Sequence, residues 1–189
     1  GGGTDLPAYY EKYGGAVIST TINKYFYVFL NAGEEGGLQI TSSDYRTFYR
    51  HDAREPLLWD GDLRLPRAIL SHFGIYQGLS MFLASEIPPG TGLGSSSAVA
   101  VAIIKAVSTA INRPLSRSEL AELACHIEIE KLGEPIGKQD QYAASFGGLN
   151  WIEFSSHGVH VEPVRMAPNV VHALERNLLL FFTGSSRSA

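Results

Sequence analysis

Residues 88–103 read PPGTGLGSSSAVAVAI: three glycines and three serines stand between a pair of prolines and a run without charge. Leu79 to Ala84 upstream is apolar and reads as a strand. Ser95 to Asn112 downstream reads as a helix of Ala, Val and Ile on nearly every side, with Lys105 near its middle, and a helix apolar all round is a buried one. Strand, glycine turn and helix N-terminus together make an anion site, because free backbone N–H groups and the positive end of the helix dipole converge there. The segment is not a Walker loop, since Gly94 is followed by Ser95 where that loop requires lysine. It is not a dinucleotide fingerprint either: counting from Gly90 puts Ser95 at the third glycine site, and counting from Gly92 puts Ser97 there. A plainer reading lets Ser95 to Ser97 cap the helix. One serine is enough for a cap, which leaves two hydroxyls for a phosphate and a metal.

The elements around the loop indicate an α+β fold. Ala16 to Ile22, Lys24 to Leu30 and Leu38 to Thr41 are rich in β-branched and aromatic residues, and Tyr45 to Arg50 is a further strand candidate. Pro66 to Gln77 reads as a short helix. Ser116 to Leu132 reads as a longer one, opened by Ser116 with Glu119 in a capping box. Leu149 to Phe154 and Val159 to Val164 form a hairpin, and Asn177 to Phe182 a last strand. This order calls for a mixed or antiparallel sheet packed with helices in two layers. No repeat or low-complexity linker divides the 189 residues, which form one domain by this reading. The glycine start and the stop just after an apolar strand suggest a fragment, lacking its first strand and most of a C-terminal domain.

Composition narrows the classes of function. With 44% hydrophobic and 18% charged residues the chain has the makeup of a folded protein. A net charge of −4 with scattered basic residues favours neither nucleic acid nor an anionic membrane surface. The lone Cys125 suits a reducing compartment, so a cytoplasmic location is expected.

A second constellation follows the long helix, in Glu128-Ile-Glu-Lys-Leu-Gly133-Glu-Pro-Ile-Gly137-Lys-Gln-Asp140-Gln141. At 100° per residue Glu130 falls beside Glu119, Glu122 and His126, a solvated face. Glu128 falls beside Ala121, Ala124 and Cys125, where a charge needs a partner, and is the better candidate metal ligand. Phosphoryl transfer uses a carboxylate on the metal and commonly another near the attacking hydroxyl.

The segment Pro88 to Ala98 resembles the second signature of the GHMP kinases, the superfamily of galactokinase, homoserine kinase, mevalonate kinase and phosphomevalonate kinase. That resemblance implies the N-terminal, ATP-binding domain of such a kinase. Pro89, Gly90, Gly92, Leu93, Gly94, Ser95, Ser96 and Ser97 would wrap the ATP phosphates, Ser96 and Glu128 would hold Mg²⁺, and Asp140 would be the catalytic aspartate. Gly1 to Pro7, Gly137 to Tyr142 and Phe182 to Ala189 are similar to D-glycero-D-manno-heptose 7-phosphate kinases and to the kinase part of fucokinases. The implied reaction is transfer of the γ-phosphoryl group to the anomeric hydroxyl of a sugar, with Thr4 and Asp5 as acceptor contacts. Lys138 and Arg187 are candidates for the phosphate of a phosphorylated sugar. A fucokinase-like or galactokinase-like sugar 1-kinase, or a non-catalytic nucleotide- or sugar-binding regulator, stay as alternatives, and a homodimer stays open.

Overall fold

The computed structural model describes residues 3–44, 46–52, 61–87, 90–179 and 181. Among them the elements run α1 (Pro7–Tyr13), β1 (Gly15–Thr20), β2 (Phe26–Ser42), β3 (Thr47–His51), α2 (Arg64–His72), β4 (Gln77–Ser85), α3 (Ser95–Ala110), α4 (Arg117–Cys125), a π-helical turn (His126–Lys131), α5 (Gln139–Phe146), β5 (Leu149–Ser155), β6 (Gly158–Pro163) and α6 (Pro168–Asn177). The class is α+β, as expected, but the strands divide into two three-stranded sheets, ordered β1-β5-β6 and β3-β2-β4.

The second sheet positions the glycine loop. Phe26 to Ala32 pairs antiparallel with Ser85 to Leu79 of β4. Beyond the irregularity at residues 33–36, the pairs rise together, from Leu38 with Leu79 to Ser42 with Leu83, so the far arm of β2 runs alongside β4 in the same direction. β4 thus lies between the two arms, which gives this sheet its mixed character. Its inward residues Leu79, Met81 and Leu83 meet Ile103, Ile104 and Val107 of α3 in the main core. Ile103 and Ile104 have no exposure at all, and full burial of such a side chain contributes about 1.5–3 kcal/mol. α3 is therefore held as the buried helix that its composition requires. A smaller core, with Tyr10, Ala121, Cys125, Tyr142, Ile152 and Phe154, joins α4 and α5 to the first sheet.

Tyr9 and Tyr10 lie on α1, which starts with proline at its first position, where the missing N–H costs nothing. Two local expectations change. The helix expected to run from Ser116 to Leu132 keeps its capping box but changes at His126 to π geometry, seen in the bond from Leu132 N–H to the Ile127 carbonyl. Residues 168–177 are helical, and Leu178 and Leu179 belong to no strand; Phe182 lies outside the described residues.

Candidate active site

The loop between β4 and α3 gets its shape from glycine. Gly90, Gly92 and Gly94 have φ of +75°, +74° and +68°, left-handed values that cost a side chain free energy. Gly94 is the N-cap of α3 and no side chain caps the helix, so the capping reading of Ser95 to Ser97 does not hold. Leaving the first amides of α3 without a side-chain cap keeps them available to an anion.

Ser96 and Ser97 turn to Glu128 instead. Ser96 Oγ donates to Glu128 Oε1 at 2.7 Å, and Gln141 Nε2 donates to Oε2 at 2.7 Å. Glu128 is only 1% exposed and Glu130 is exposed, as the helical-face argument requires. Burial raises the pKa of Glu128; hydrogen bonds from Ser96, Gln141 and Ser97 oppose that rise, and the charge of Asp140 adds to it. Glu128 sits on the π-helical turn, whose wider coil is frequent at functional sites.

Asp140 is the second residue of α5 and stands against the loop: a Cβ on Gly94 would lie 3.3 Å from its Cγ. Ser95, Ser96, Ser97, Glu128 and Asp140 all line one cavity of about 420 Å³ with Gly90, Gly92 and Gly94. Its other wall is apolar, with Phe26, Leu63, Leu83, Val99, Leu132 and Ile136. Two features escaped sequence reasoning. Gln141 is fully buried on Glu128, and an ion pair of 2.5 Å joins Arg64 to Glu134 at the cavity. Gln141 and Glu134 both lie in the quoted stretch from Glu128 to Gln141, but which partner each would take is not legible there: Gln141 reaches back 13 residues to Glu128, and Glu134 meets Arg64 from α2.

The remaining candidates are placed differently. Thr4 Oγ1 donates to the Ala16 carbonyl at 3.1 Å, and Asp5, 3% exposed, accepts from the Gln139 N–H at 3.1 Å. Lys138 pairs with Glu122 at 3.8 Å and does not line the cavity. Leu93 is exposed on the loop. Pro89 and Arg187 lie outside the described residues.

A hydroxyl and a carboxylate are hard oxygen donors that fit Mg²⁺, which keeps several waters and takes one or two carboxylates together with substrate phosphates. Among the described residues no cluster of three or more His, Cys, Asp or Glu assembles into a metal cage, and Mg²⁺ at a phosphate site needs none. His72 and His126 do meet, with ring centroids 6.1 Å apart, but Lys131 Nζ lies 3.3 Å from His72 Nδ1, and a cation there opposes a second one.

Residues 63–148, which span this cavity from α2 to the end of α5, match the family model described as the GHMP kinases N terminal domain. The chain carries a GHMP kinase N-terminal domain. The D-glycero-alpha-D-manno-heptose 7-phosphate kinase of Campylobacter jejuni is 37% identical over 195 aligned residues, covering all of this chain and 58% of that protein. A bifunctional fucokinase/GDP-fucose pyrophosphorylase of Arabidopsis thaliana is 30% identical, over 72% of this chain and 14% of that one. The crystal structure of a D-glycero-D-manno-heptose 1-phosphate kinase from Bacteroides thetaiotaomicron superposes with a TM-score of 0.83 at 33% identity, covering 93% of this chain and 59% of that one. The chain thus spans somewhat over half the length of the heptose kinases it matches. In this GHMP kinase domain the glycines, serines and two acids of the quoted motifs come together at one cavity, while Lys138 falls outside it.

Proposed function

We propose that the protein is an ATP-dependent sugar kinase that phosphorylates the anomeric hydroxyl of D-glycero-D-manno-heptose 7-phosphate. The observation that carries this reading is the hydrogen bond from Ser96 Oγ to Glu128 Oε1, formed across the sequence under the glycine loop, with Asp140 against the same loop. A phosphate loop, a metal-ligand pair and a separate carboxylate are the parts that phosphoryl transfer requires, since its catalysis is positioning and charge neutralisation. Similarity to the heptose 7-phosphate kinase supports the choice of acceptor.

The amides of the glycine loop and the first turn of α3 bind the triphosphate, and the apolar wall around Phe26, Leu83 and Ile136 takes the flat base. Ser96 and Glu128 would hold Mg²⁺, which when bound neutralises phosphate charge. Asp140 orients the acceptor hydroxyl and accepts its proton. Thr4 and Asp5 would contact the acceptor, since Asp5 is bonded to the Gln139 N–H beside Asp140. The wall of the cavity excludes water that would otherwise compete with the sugar for the phosphoryl group.

The test is ATP consumption by the complete gene product with Mg²⁺ and, in turn, D-glycero-D-manno-heptose 7-phosphate, the free heptose, L-fucose and galactose. Turnover confined to the phosphorylated heptose and lost in Asp140→Asn is expected. Turnover on a free sugar alone refutes the acceptor, and ATP binding without turnover on any of the four refutes the kinase reading in favour of a binding protein.

A further inference from the structure

The Thr4-Asp5 dipeptide is wedged between two glycines from distant segments. A Cβ on Gly15 would lie 1.8 Å from the Thr4 carbonyl oxygen, and a Cβ on Gly137 would lie 1.9 Å from Asp5 Oδ2. Neither position tolerates a side chain without moving the dipeptide. The hydroxyl of Thr4 is fastened to the Ala16 carbonyl, and the buried Asp5 carboxylate accepts from the Gln139 N–H.

Gln139 is the first residue of α5, and Asp140 is the second. The opening amides of a helix lack partners within it. The N-cap residue Lys138 supplies no capping side chain here; its own points to Glu122. A carboxylate reaching in from residue 5 fills that role and sets a negative charge at the positive end of the helix. On its other side Asp140 faces Gly94, where a single added carbon would lie 3.3 Å from its Cγ.

We propose that Asp5 is a positioning residue for Asp140. By anchoring the first turn of α5 it fixes the direction from which the Asp140 carboxylate enters the cavity, in addition to any contact with sugar. This rests on the kinase reading for its catalytic consequence; the anchoring itself stands apart from it.

The experiment measures amide exchange and turnover on the complete gene product. In the wild type, the Gln139 amide exchanges at least about tenfold more slowly than an unprotected amide, the worth of one hydrogen bond. Absence of that protection overturns the proposal without any variant. Asp5→Ala is expected to abolish the protection and lower kcat by about 10²-fold, the scale for a misplaced catalytic group, with the KM for ATP unchanged. Asp5→Asn keeps an oxygen that can accept from Gln139 N–H, and should recover most of both losses. Protection that survives in Asp5→Ala overturns the proposal. So does an Asn variant that fails as badly as Ala through the sugar KM alone, which would make Asp5 a sugar ligand only. A wild type with no turnover sinks the kinase reading, and the exchange data still decide the anchoring.

Discussion

Replacing Glu128 by glutamine should make the metal-free protein more stable while removing its response to Mg²⁺ and ATP. The carboxylate is 1% exposed, and burial raises its pKa above the ordinary 4.5 despite three hydrogen-bonding neighbours. Burying an ion costs several kcal/mol, and hydrogen bonds to a charged group offset about 1.5–3 kcal/mol each. The raised pKa shows that the offset is incomplete. In Glu128→Gln the introduced amide would keep the Ser96 bond through its oxygen, and Gln141, whose Oε1 has no hydrogen-bond partner, can turn its own amide over to accept from the new NH₂ group. A net gain of about 1 kcal/mol follows, or roughly 2–4 °C in melting temperature for a chain of this size.

The sign of the pH dependence is fixed by the direction of the shift. A carboxyl group whose folded pKa is raised contributes stability that is fully present below its unfolded pKa near 4.5 and lost as pH rises through the folded value. The advantage of Glu128→Gln should therefore be smallest near pH 4 and grow as pH rises. Thermal melts of both proteins at pH 4, 6 and 8 in EDTA measure it. With Mg²⁺ and ATP at about 100 times their dissociation constant the wild type should gain roughly 2.7 kcal/mol, and the variant little of it. A variant less stable than wild type at pH 8, or a difference that does not vary with pH, would refute the account of Glu128 as a strained buried acid.

Two further outcomes are expected. Gly94→Ala places a side chain at φ +68° and 3.3 Å from Asp140 Cγ, so kcat should fall by about tenfold or more with a stability loss of about 1 kcal/mol; wild-type kcat would remove the loop from the placement of Asp140. Cys125 is buried and its pKa is pushed up to about 12, chiefly by desolvation, so it should resist a thiol reagent such as DTNB at pH 8 until the protein is unfolded in denaturant; rapid labelling of the native protein would contradict its burial.

The parts of the site that are legible in sequence are those set by local chemistry. Glycine where φ must be positive, hydroxyls on a first helical turn, and an acid on the apolar side of a helix can each be recognised without knowing what lies opposite. The choice of Glu128 over Glu130 as the buried acid succeeds for that reason. It does so although the helix carrying both changes to π geometry, because a change at His126 leaves Glu128 only two residues on. Reading Ser95 to Ser97 as caps fails because a hydroxyl's partner is a matter of competition. Ser96 has a buried carboxylate within reach, and a charged acceptor makes a stronger hydrogen bond than a neutral one. The unbroken helix fails too, since i→i+5 bonding has no signature in propensity.

The α+β class, the glycine loop, the buried character of α3 and the family are legible along the chain, since all of them rest on neighbours in sequence or on a local motif. Only the tertiary structure decided that β4 inserts between the arms of β2 and that Gln141 closes on Glu128. It also decided that Lys138 turns to Glu122 and that Asp5 reaches Gln139 across the fold. Those contacts join segments whose distance apart is set by packing of the two cores, and no periodicity along the chain encodes which buried donor will meet which acceptor.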